Sequence, residues 1–173
     1  MNVDPEKTVD VLANILKKTE EVVHHNDETV ILPHFRRSIR LDYYSCAARS
    51  VYSVLRYHGK RCTPESVERS LHTNEDGAGV SDILRVFKQR GLSCKVIRNA
   101  SFVDLKGAIR NGCPVLVSLY DGWHYGVVYG FSDKYIFVSD PSLDQASMGS
   151  IWCAIPKRKF MTMWEPWMIV VRH

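Results

Sequence analysis

A thiol, an imidazole and a carboxylate stand at the ends of elements that the surrounding sequence would form: Cys46, His124 and Asp140. Cys46 follows the polar run Asp42-Tyr43-Tyr44-Ser45 and precedes Ala47, Ala48, Val51, Val54 and Leu55, an apolar repeat at three and four residues that continues to Gly59. That spacing predicts a helix with the cysteine at or near its N-terminus. Unpaired N–H groups and the helix dipole stabilise a thiolate at such an address, which makes the sulfur a better nucleophile. The competing reading is a buried, inert cysteine, favoured by the small Ala47 and Ala48 beside it and opposed by the polar approach to the helix.

A thiolate needs a proton partner, and His124 opens the otherwise apolar run Tyr125-Gly126-Val127-Val128-Tyr129-Gly130. Taken alone it is as readily a satisfied edge histidine. Gly126 and Gly130 weaken a strand unless something must approach the backbone closely, which tilts the reading toward a site. Asp140 ends the next strand directly before Pro141, and a turn near Ser132-Asp133-Lys134 brings it back beside the head of the His124 strand. Alone, an Asp-Pro step is commonly only a turn. Together the three groups make a nucleophile, its base and the base's orienter.

The elements that must position them follow from periodicity and punctuation. Asp4-Pro5 starts an amphipathic helix through Val9, Leu12, Ile15, Leu16 and Val23. An extended segment runs from Val30 to Phe35 and the Cys46 helix follows. Thr63-Pro64 starts a short helix, Val80 to Gln89 forms another, and Ser101 with Asp104 makes a capping box for one more. Beyond these, Pro114–Tyr120, Tyr125–Phe131, Tyr135–Ser139 and Trp167–Arg172 are rich in β-branched and aromatic residues and separated by turn signals. Helices first and an antiparallel sheet after them imply an α+β fold with segregated layers. The expected organisation is an N-terminal helical appendage over 1–30 and one domain over 31–173, since 173 residues leave little room for two cores.

Composition narrows the function classes. Net charge is +4, and the basic clusters Arg36-Arg37 and Lys157-Arg158-Lys159 are short enough to be solvated surface, so no nucleic-acid partner is expected. No run reaches the roughly 20 apolar residues of a membrane helix and no signal peptide opens the chain, so the expectation is a cytoplasmic protein without a membrane partner. The five cysteines (46, 62, 94, 113 and 153) show no Cys-x-x-Cys or Cys/His ligand spacing, so reduced thiols, no metal and no cofactor are expected. His24-His25 are adjacent, share no helical face and make a poor ligand pair.

The motifs Leu32-Pro33-His34-Phe35, Tyr44-Ser45-Cys46-Ala47-Ala48, Tyr57-His58-Gly59, Gly77-Ala78-Gly79, Gly112-Cys113-Pro114-Val115-Leu116-Val117, His124-Tyr125-Gly126 and Asp140-Pro141 occur in an order and spacing that resemble the bacteriocin-processing, double-glycine leader peptidases among papain-like cysteine peptidases. The likeness covers about residues 31 to 172, and Phe160 to Trp164 with the last strand is similar to that family's closing helix and strand. The resemblance implies a papain-like fold, a Cys46–His124–Asp140 triad and cleavage of a peptide amide bond, with Gly79, Trp123 and Tyr125 as substrate contacts. The family's transporter members carry membrane and nucleotide-binding domains absent from this sequence, so a dedicated secretion role is not expected.

Two positions depart from the family pattern. Arg40 stands six residues before the cysteine, where a glutamine usually completes the oxyanion hole with the backbone N–H of Cys46, and Ala47 replaces a glycine. The rival function is a catalytically silent module that holds a peptide or protein in the same cleft. A third role is oligomerisation or partner docking through the N-terminal helix.

Overall fold

The structure is a computed structural model, and it describes residues 28–38, 44–75, 77–141 and 154–173. The expected N-terminal helix, His24-His25, Arg40 and Cys153 lie outside the described residues. Among the described residues are α1 (Cys46–Tyr57), α2 (Pro64–Leu71), α3 (Val80–Gln89), α4 (Phe102–Arg110) and α5 (Lys157–Met163). The strands are β1 (Val30–Ile31), β2 (Ser93–Arg98), β3 (Val115–Leu119), β4 (His124–Phe131), β5 (Tyr135–Ser139), β6 (Ala154–Pro156) and β7 (Trp164–Arg172). No helix among the described residues is long and apolar enough to cross a membrane.

Capping residues fix the helix ends. Thr63 accepts from the Ser66 backbone N–H ahead of Pro64 at the start of α2, and Ser101 exchanges hydrogen bonds with Asp104 at the start of α4. These bonds satisfy N–H groups that a helix leaves unpaired in its first turn. Gly112, in the left-handed region with φ 72°, follows Asn111 and turns the chain out of α4 toward β3.

All strand pairs are antiparallel, in the order β2-β7-β3-β4-β5-β6, with β1 added to β4. β3 is buried along its whole length because both sheet faces are covered. Val115, Val117 and Leu119 point into a core shared with α4 and α5, whereas Leu116 points into a second core built on α1, α2 and α3. The alternation is the two-residue period of a strand buried on both sides. On α1 the buried positions Ala47, Ala48, Val51, Val54 and Leu55 form one stripe, which lays that helix along β4. The α+β, papain-like class expected from the order of elements is the one observed.

Gly130 has a structural reason for lacking a side chain. A Cβ there would lie 2.8 Å from the Val30 carbonyl oxygen and 3.0 Å from Ile31 Cγ1, so only glycine lets β1 pair with β4. Gly130→Ala is expected to lower stability by about 1–3 kcal/mol through this overlap. Gly107→Ala in α4, where a Cβ meets nothing within 4 Å, is expected to raise it by about 0.5–1 kcal/mol. Thermal denaturation of the two variants checks the opposite signs.

Candidate active site

The β4–β5 hairpin and the start of α1 meet at one end of the sheet. Register pairs Val127 with Ser139, so Asp140, the next residue along, falls near the head of β4. Its Oδ1 lies 2.5 Å from His124 Nε2, with His124 nearly buried and Asp140 wholly so. The Cys46 thiol lies close enough to the His124 side chain for each to shift the other's pKa. Because Nε2 faces Asp140, Nδ1 is the ring nitrogen left for the sulfur. Ser50 Oγ, one turn into α1, donates to the Tyr125 carbonyl at 3.2 Å and ties the helix to the strand that carries the histidine.

Gly126 sits in this hairpin for packing reasons as well. A Cβ would come 3.2 Å from Leu119 Cδ1 and 3.3 Å from Val138 Cγ1. The close approach that its sequence suggests is therefore made by neighbouring strands, as at Gly130, and gives no support of its own to a ligand site.

Electrostatics single out one thiol. Burial acts most strongly on Cys46 and pushes its pKa up. The His124 hydrogen bond and charge, with backbone hydrogen bonds from Tyr125 and Ala47, outweigh it and hold the thiol below the ordinary 9.0. His124 shows the converse: burial favours its neutral form, yet Asp140 and Cys46 raise it to about 9. Burial alone pushes Cys94 up to about 11, and burial likewise raises Cys62 against nearby Arg90 and Arg56. Opposite shifts on a touching thiol and imidazole favour a thiolate–imidazolium pair.

In front of Cys46 lies a cavity of about 350 Å³ whose walls include Tyr44, Glu75, Ala78, Trp123 and Tyr125. Trp123 is 87% exposed, an unusual state for an indole with no structural demand for it. It is presented by a turn in which Tyr120, Asp121 and Gly122 all have positive φ. Two of the three expected substrate contacts, Trp123 and Tyr125, thus border the cavity. Gly79 instead caps α3, and its neighbours Gly77 and Ala78 line the cavity. Their signal in the sequence was the run Gly77-Ala78-Gly79 itself, displaced by one residue. Glu75 carried no signal. Among the described residues, no group of three or more His, Cys, Asp or Glu side chains is arranged to hold a metal ion.

Comparison with known proteins agrees with this architecture. The peptidase domain of Streptococcus ComA, described as a bifunctional ABC transporter involved in quorum sensing, superimposes with a TM-score of 0.67 at 20% identity, covering 80% of this chain and 98% of that one. A double-glycine motif protease from an AMS/PCAT transporter, solved in complex with a leader peptide, gives a TM-score of 0.61 at 19% identity, over 82% of this chain and 96% of that one. The sublancin-168-processing and transport ATP-binding protein SunT of Bacillus subtilis is 25% identical over 105 residues, which is 59% of this chain and 15% of that protein. The chain therefore matches only a small part of the length of that relative. Residues 38–173 match the Peptidase C39 family, and with most of the chain inside that match the protein is a member of the Peptidase C39 family of cysteine peptidases.

Proposed function

We propose that the protein hydrolyses an amide bond in a peptide or protein substrate, with Cys46 as nucleophile, His124 as general acid and base, and Asp140 as the group that orients the imidazole. The observation that carries this reading is the buried His124–Asp140 hydrogen bond, beside a Cys46 thiol whose pKa the same imidazole lowers.

The thiolate attacks the substrate carbonyl carbon, forming a C–S bond and moving the carbonyl π pair onto oxygen. The backbone N–H of Cys46 at the start of α1 donates to that oxyanion, and Arg40, outside the described residues, is the candidate for a second donor. His124 gives its proton to the leaving nitrogen as the C–N bond breaks. The resulting thioester is cleaved by a water that His124 deprotonates, and the thiolate–imidazolium pair returns. Asp140 keeps Nε2 protonated and Nδ1 turned to the sulfur without itself taking a proton.

The protonation states set a working window. Acylation needs the thiolate and the imidazolium together, so rate rises with pH through the depressed Cys46 pKa and falls as His124 deprotonates near 9. Alkylation by iodoacetamide, followed residue by residue by mass spectrometry, tests the pair without a substrate. Cys46 is expected to titrate below 9.0 in the parent. In His124→Ala the two lowering effects of the imidazole disappear, and the titration moves up. A Cys46 that titrates like a free thiol in both proteins would leave only the silent binding module, the reading that the Arg40 departure favours.

A further inference from the structure

Beside the Cys46 cleft lies a second cavity of about 500 Å³, between the start of α3, β2 and the start of β7, lined by Val80, Val96, Arg98, Glu165, Pro166 and Trp167 among others. Its walls are mostly apolar, and Glu165 is its one carboxylate. The two cavities are neighbours. Ala78 lines the first and Val80 the second, on either side of Gly79. The Tyr125 ring from the first meets the Trp167 ring from the second edge-on, with centroids 6.1 Å apart. At Gly122, which lines the first, an added Cβ would lie 3.6 Å from Glu165 Oε1.

Glu165 is held in place at this junction. Trp167 Nε1–H donates to its Oε2 at 3.0 Å, and Ser118 Oγ donates to the same oxygen at 3.3 Å. Both bonds fall on Oε2, so the acceptor capacity of Oε1 is left to whatever enters. Around the Cys46 cleft the other charged group in the lining is Glu75, and Asp121 stands in the adjoining turn. In a chain of net charge +4, the charged side chain in the described lining of the Cys46 cleft is thus acidic. Arg98 is exposed at the second cavity, where water screens its charge.

We propose that Glu165 is a specificity-determining residue, which receives a lysine or arginine side chain of the peptide substrate in this second cavity. The proposal rests on the peptidase reading and adds the substrate class. A long basic side chain fits because its methylene stem can pack on Val96, Pro166 and Trp167 while its charged end reaches a fixed carboxylate. Selectivity follows from the same arrangement. An apolar isostere fills the cavity equally well but forfeits the charge-assisted hydrogen bond, which discriminates by about ten- to a hundredfold.

The probe is a positional-scanning library of decapeptide amides in which one position is fixed as lysine or as norleucine and the others are randomised. Cleavage by the parent is followed by mass spectrometry, and binding of the same pools to Cys46→Ala by titration calorimetry. At one fixed position lysine is expected to exceed norleucine at least about tenfold in cleavage rate and in affinity. Glu165→Gln keeps an oxygen for the Trp167 and Ser118 bonds, and it should bring both ratios near unity. Cleavage without a lysine preference, or a preference that survives Glu165→Gln, overturns the subsite and leaves the peptidase reading standing. Glu165-dependent lysine binding by Cys46→Ala with no cleavage by the parent supports the subsite and overturns the peptidase reading instead.

Discussion

Replacing Cys46 with alanine is expected to abolish turnover, a loss on the order of a million-fold where nucleophile and base act as a unit. The fold should survive, because the residue begins α1 and does not fill the centre of a core, and both Ala47 and Ala48 show that small side chains are accommodated there. The same variant has a second readout in its stability. In the parent, the folded pair holds one proton as thiolate and imidazolium. Above about 6.5 the unfolded chain also holds one, on the thiol. The lowered Cys46 pKa contributes stability above 9.0 that is lost as pH falls through the folded value. The raised His124 pKa contributes stability below 6.5 that is lost as pH rises through about 9. Between these limits the two slopes oppose each other, and the pair's contribution changes little with pH. Removing the thiol removes one slope. With Asp140, the larger of the two raising partners of His124, still in place, Cys46→Ala should lose stability more steeply than the parent as pH rises above 6.5. Paired melting curves at several pH values, with turnover on one substrate pool, check both arms. Residual cleavage within a hundredfold of the parent would remove Cys46 from the chemistry.

The parts of this structure that are legible in the sequence are those written locally. The starts of α2 and α4 are marked by Thr63-Pro64 and by Ser101 with Asp104, whose capping chemistry acts within one helical turn, and the observed ends follow it. Strands β3, β4 and β5 announce themselves as apolar runs because both sheet faces are covered. β2 leaves no such mark for the opposite reason: its six residues are largely exposed, and pairing with β7, 69 to 79 positions away, makes it a strand. The extended segment Val30–Phe35 pairs with β4 over Val30–Ile31 and by one more bond, from the Leu32 N–H to the Tyr129 carbonyl. Pro33 has no N–H to offer, and His34 takes a φ of 60° that turns the chain away. β7 begins three residues before the expected Trp167 because Pro166, a residue that argues against a strand, falls where the register between β3 and β7 is already irregular.

The site divides in the same way. Cys46, His124 and Asp140 could be read from sequence because each stands at the end of an element, and ends of elements leave a local mark. Their convergence needed only one helix start and one hairpin. Glu165 could not be read so, since it reaches the neighbourhood of Gly122 only through the pairing of β7 with β3. The proposed catalytic groups are thus marked by short-range signals, whereas the proposed substrate contact at Glu165 depends on pairing across the whole sheet.

Asp140→Asn separates an orienting carboxylate from a buried residue that merely ends a strand. Asparagine keeps the size of the side chain but carries no charge, and one of its two terminal groups is an N–H donor. If the amide turns its N–H toward Nε2, the ring must carry its proton on Nδ1, facing the sulfur, and can no longer accept the thiol proton. If it turns its oxygen instead, the tautomer is retained but the imidazolium loses its countercharge in a buried place. Either way the carboxylate charge no longer opposes burial, the largest influence on His124, and the His124 pKa falls from about 9. The thiolate loses support in turn, because the imidazolium is what lowers it. Turnover is expected to drop about ten-thousandfold, by analogy with the same change in a serine-protease triad. The Cys46 alkylation titration should move up in parallel. Imidazole ring resonances followed by NMR against pH give the His124 titration directly, and a midpoint still near 9 in Asp140→Asn would show that the carboxylate does not hold the proton on this ring. Retention of most of the activity with that midpoint would assign the base's orientation to other groups packed around β4.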